Sequence, residues 1–159
     1  MATHDQIAAA IKAKIETVPQ RGPVHDYLRY AKNHAPLATF FRNPDSGRLN
    51  GHTFWREATR ELDYDVGIIR RFDTWRLYSY MGFDDADGSV KTFQTQLEDI
   101  KAAFRIDRTL GGVVLDLKDM NDRFGRLGLQ IELIEPWMFA GVLCLRARGV
   151  LTTESEEPN

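Results

Sequence analysis

Two stretches of this chain repeat apolar residues at helical spacing, and several others alternate at strand spacing. Ile7, Ile11 and Ile15 stand four apart with alanines beside them. That spacing predicts an amphipathic helix from about Thr3 to Thr17 whose apolar stripe docks on a sheet. Thr3 followed by Gln6 has the spacing of a capping box, and Pro19 with Gly22-Pro23 stops the helix. Val90, Phe93, Leu97, Ile100 and Phe104 predict a second helix over Ser89–Phe104. Ser89 is placed to accept its first N–H groups, and the preceding acidic loop, Asp84-Asp85-Ala86-Asp87-Gly88, favours its positive end.

The run Ile68 to Phe83, rich in β-branched and aromatic residues, reads as one long strand. His52 to Leu62 reads as its hairpin partner across the acidic turn Asp63–Gly67. Val24 to Tyr30 is a short strand, and Pro36 opens a short helix reaching Phe41. Asn43 to Gly51 is a polar loop with turn chemistry. Leu129 to Ile134 and Phe139 to Leu151 read as a closing hairpin broken at Glu135-Pro136. Residues 110–128 show no clear pattern. The expected fold is α+β, a mainly antiparallel sheet with both amphipathic helices on one face, in a single domain over 1–151. The polar, acidic tail 152–159 is expected to be disordered.

Strand alternation separates Trp75, Leu77, Met81 and Phe83 from Thr74, Arg76, Tyr78 and Tyr80. Two helices cover one face. The other needs more chain or another molecule, and Tyr and Arg are enriched in buried partner contacts. Arg76, Tyr78 and Tyr80 are therefore the candidate residues for a subunit or tube contact.

With 159 residues, 43% hydrophobic and 28% charged, the chain is long enough for one full core. A net charge of −2 argues against strong general affinity for nucleic acid, as do the acidic flanks of the basic–aromatic run Arg70 to Arg76. Cys144, the single cysteine, sits in an apolar run and reads as a buried inert thiol. The N-terminus shows no leader-like pattern and no apolar run approaches membrane length, so a cytoplasm-like compartment is expected. The acidic loop fails as a calcium loop: with Gly88 sixth, Phe83 stands first and Gln94 twelfth. His4, His25, His34 and His52 lack ligand spacing, and Ser46, Ser79 and Ser89 lack a nucleophile elbow. Leu110-Gly111-Gly112 lacks the Lys and Ser/Thr of a phosphate loop and reads as a turn. Asp116, Asp119 and Asp122 read as a solvated helix face. The sequence offers no catalytic, cofactor-binding or metal-binding residues, so a non-enzymatic role is expected, with no cofactor.

The order of segments carries a resemblance. An N-terminal helix precedes a Trp-containing strand (Phe54-Trp55-Arg56) and a long aromatic strand ending Tyr80-Met81-Gly82-Phe83-Asp84-Asp85. Then come a Phe93-x-x-x-Leu97-Glu98-x-Ile100 helix and the closing Phe139–Ala147 strand. Over roughly Thr3 to Thr152 this resembles the tail terminator and tail-completion proteins of long-tailed bacteriophages, the class of the lambda minor tail protein U. The resemblance implies a virion protein assembled in the bacterial cytoplasm and located at the tail–neck junction. It implies a homo-oligomeric ring, usually a hexamer, that stops tail-tube polymerisation and joins the tube to head or neck proteins. DNA would pass through the lumen without specific binding, and no membrane is involved. The alternatives are a neck or head–tail connector subunit and, from a different class, a small-molecule-binding or enzymatic domain using a cleft between sheet and helices.

Overall fold

The computed structural model describes residues 2–29, 38–118, 122–139 and 141–158. Its elements are α1 (His4–Glu16), β1 (Val24–His25), β2 (Asn50–Asp65), β3 (Ile68–Gly82), α2 (Ser89–Ile106), β4 (Gln130–Phe139) and β5 (Val142–Pro158). The five strands form one sheet in the order β1-β2-β3-β5-β4, antiparallel except where β1 runs beside β2. The fold is α+β.

At the start of α1 the Thr3 side chain accepts the Gln6 N–H (3.3 Å) while Gln6 Oε1 accepts the Thr3 N–H (2.8 Å). This is the capping box read from the sequence. The second helix begins differently. Its N-cap is Gly88, at φ 62° with no side-chain cap, and Ser89 Oγ instead accepts the Asp84 N–H (2.9 Å). The left-handed turn that only glycine adopts cheaply leaves Ser89 already inside the helix, its hydroxyl directed back at the loop.

Pairing carries the core across the sheet. Trp75, Leu77, Ser79 and Met81 point one way, and their paired neighbours Phe54 on β2 and Leu145, Ala147 and Leu151 on β5 point with them. Phe54, Trp75, Leu77 and Leu151 cluster with Ile7, Ile11 and Ile15 of α1 and with Ile100 and Phe104 of α2. Met81, Leu145 and Ala147 cluster with Phe93 and Leu97. Phe83 lies outside this core: it follows the end of β3 and is exposed.

Several expectations are corrected. Residues 152–158 are not a disordered tail; they continue β5, and Thr152 to Pro158 pair with Thr74 to Ile68. Thr153, Glu154 and Ser155 are buried, Trp75 Nε1 donates to Thr153 Oγ1 (3.0 Å), and Arg70 pairs with Glu154 (2.7 Å). Acidic composition suggests disorder only when the acids lack partners; here β3 supplies both a backbone ladder and an arginine. Glu135-Pro136 does not break the last hairpin, since both belong to β4 and the turn falls at Gly141. On an edge strand Pro136 can sit with its missing N–H directed outward, where no ladder partner waits. The first strand is only Val24–His25; Leu28 is exposed, and Tyr30 lies outside the described residues, as does Pro36. Asp116 is not on a helix but bridges to Glu154 of β5, Asp122 precedes a turn, and Asp119 lies outside the described residues.

Candidate functional site

The opposite alternation assembles the candidate surface. Trp55 of β2 pairs with Arg76 of β3, Tyr78 with Arg148 of β5, Tyr80 with Arg146, and Cys144 with Trp137 of β4. All of these side chains point away from the helix clusters. A row of rings and guanidinium crosses four strands. Trp55 and Tyr78 lie 5.4 Å apart between centroids, and Arg146 stands 5.1 Å from the Tyr78 ring and 3.4 Å from the Trp137 ring. Sandwiched between two aromatic faces, Arg146 also pairs with Glu135.

Arg76 reaches Glu57 (2.9 Å) on one side and Glu132 (2.7 Å) on the other, and Glu132 also takes Arg148 (3.2 Å). Each arginine of the row is met by a glutamate from a neighbouring strand. The face is thus a charge-balanced ladder rather than the unpaired basic stripe that a phosphate backbone requires. The ion pairs and ring contacts hold its side chains in place.

Of the three residues singled out from the sequence, Arg76 and Tyr78 stand on this face, half-buried. Tyr80 shares the face and lies 6.4 Å from the Tyr78 ring, but it is covered. It is 7% exposed and packs against Phe139 (4.5 Å) and Phe41 (5.3 Å) in a small second core with Cys144. Burial pushes its hydroxyl up to about 12. The covering chain is the segment before β2, tied down by the Asn50 N–H to the Phe41 carbonyl (2.9 Å). Gly51, paired with Tyr80, leaves room for Phe41; a Cβ there would lie 3.1 Å from the Phe41 Cα. A glycine inside a strand marks such a close approach, but the sequence pattern had placed Gly51 in the loop. Trp55, Trp137, Arg146, Glu57 and Glu132 were not singled out, because only the strand register brings them to one row.

His52 Nδ1 and Ser79 Oγ lie 2.6 Å apart, both 0% exposed on the helix-facing side. Burial, opposed by the Arg21 backbone and reinforced by the Arg21 charge, lowers the His52 pKa to about 4, so the ring is neutral. Sealed from solvent, the pair is a core hydrogen bond with no substrate access. His4 stacks on Trp75 (5.3 Å) and His25 Nε2 meets the Phe40 carbonyl (2.7 Å), whereas His34 lies outside the described residues. Arg48 holds Asp87 (2.8 Å) and Asp84 (3.4 Å), and its hydrogen bond lowers the Asp87 pKa. Cys144 is fully buried, which raises its thiol to about 11. Among the described residues no group of His, Cys, Asp or Glu converges to hold a metal ion. The closed cavity within the core, lined by residues such as Ile11, Phe54 and Trp75, is about 10 Å3 and too small for a ligand, whereas open clefts of about 700 Å3 beside α1 and about 630 Å3 beside α2 lie at the surface. No helix among the described residues is long and apolar enough to cross a membrane. No protein-family profile matches the chain, and no curated protein matches it in sequence.

Proposed function

We propose that this chain is a structural virion protein, a tail terminator whose ring caps a phage tail tube, stops its polymerisation and joins it to the head or neck. The observation that carries this reading is the row Trp55, Tyr78, Arg146 and Trp137 along one face of the sheet. Aromatic residues and arginines dominate interfaces when they are centrally placed, and pre-ordered ones lose little freedom on binding. The order of elements fits the same class. The paired arginines suit a protein that stands beside DNA without gripping it. A neck or connector subunit would use the same face, and the two roles separate by whether the protein binds the end of the tail tube or the head.

The test is co-expression with a tail-tube protein and tape measure encoded beside it. Tubes should end at uniform length with a ring at one end in negative-stain images. The double variant Tyr78→Ala with Trp137→Ala should stay folded and give overlong tubes. Normal capping by that variant removes this face from the contact, and tubes unaffected by the wild-type protein overturn the terminator reading.

A further inference from the structure

The geometry points to a head-to-tail contact between copies of this chain, in which the acidic, apolar end of the molecule at the start of α2 meets the basic, apolar end at its finish. This rests on the ring reading and names the surfaces that close the ring. At the start of α2 the Phe83 N–H donates to the Leu143 carbonyl (3.3 Å), which sets the β4–β5 hairpin beside the loop leading into the helix. Met138, paired with Leu143, is 61% exposed, and Phe83 and Leu143 are exposed with it. Asp84, Asp85 and Asp87 rim this patch. Arg48 pairs with two of them, and Asp85 has no ion pair among the described residues.

At the finish of α2, Ile106 is 86% exposed and Phe124 is 75% exposed. The loop carrying Phe124 lies against the last turn of the helix, since a Cβ on Gly128 would be 3.8 Å from Phe104 and 3.9 Å from Arg105. Arg123 and Arg126 flank the Phe124 ring at 5.9 and 5.6 Å. Arg126 shares Asp122 (3.5 Å), while Arg105 and Arg123 have no ion pair among the described residues. One end therefore keeps a net negative charge and the other a net positive one, each around exposed apolar side chains.

The dipole of α2 favours acids at its start and bases at its finish. That accounts for the signs, but not for Ile106, Phe124 and Met138 standing in water. Apolar centres with charged rims of opposite sign are the composition of a steered interface. An 18-residue helix is about 27 Å long, so the two ends do not meet within one molecule. A contact between different patches is heterologous, and repeated with a closing rotation it gives a ring.

The test is sedimentation velocity across protein concentration and salt on the wild type, on Arg105→Glu with Arg123→Glu, and on Asp85→Arg. All three substitutions are at exposed sites, and circular dichroism checks that each variant is folded. The wild type should associate, less so at high salt. Each charge-reversed variant alone should associate at least about tenfold more weakly, and an equimolar mixture of the two should recover association, because each supplies the sign the other has lost. Should a reversed variant fail to fold, Phe124→Ser replaces it and should weaken association likewise. Variants that assemble as well as a ring-forming wild type overturn this contact and leave the ring reading standing. A wild type that stays monomeric at every concentration, and still as a monomer when tubes are supplied, overturns both.

Discussion

The buried imidazole of His52 should make this protein lose stability in mildly acidic solution. In the folded chain its pKa is lowered to about 4, chiefly by burial, against an ordinary value of 6.5. Above that ordinary value the ring is neutral in both folded and unfolded chains. Between 6.5 and about 4 the unfolded chain binds a proton that the folded one refuses, so stability falls as the pH falls, and the loss levels off below about 4. The slope reaches about 1.4 kcal/mol per pH unit, and the whole loss is on the order of 3 kcal/mol. Asp107, held at about 2 mainly by Lys14, gives its stability above the ordinary carboxylate range and loses it only as the pH falls toward 2, outside this window. Glu154 is raised by burial and acts with the opposite sign, so the comparison is a difference between proteins. Urea denaturation followed by tryptophan fluorescence, from pH 8 to 4.5, should show wild type and His52→Gln converging as the pH falls. Parallel curves over that range, or a His52 ring that titrates near its ordinary value by NMR, would refute the reasoning.

Leu97→Ala should cost about 2–5 kcal/mol in thermal or chemical unfolding, because Leu97 is buried with Phe93, Met81 and Leu145; a change within error would mean that α2 is not docked through this stripe. Thr153→Val should cost about 1–3 kcal/mol by leaving Trp75 Nε1 without its acceptor, while Thr153→Ser stays close to wild type. Equal stabilities for those two variants would return residues 152–158 to the role of a loose tail.

Local signals in the chain determined the elements. The Ile7/Ile11/Ile15 stripe with its capping box, the Phe93/Leu97/Ile100/Phe104 stripe (Val90, read with it, is exposed), and the β-branched and aromatic run from Ile68 specify helices and strands through spacing alone, since 3.6- and 2-residue periods need no tertiary partner to be read. The same alternation separated Arg76 and Tyr78 from Trp75 and Leu77. What the tertiary structure decided is which surfaces are covered and by what. Phe41 folds over Tyr80 from residues earlier in the chain, and β3 recruits the acidic end of β5 through Arg70 and Trp75. Trp55, Tyr78, Arg146 and Trp137 come from four strands and become one row only through register. Such contacts join residues far apart along the chain, and their energies depend on burial and partners that no local window contains.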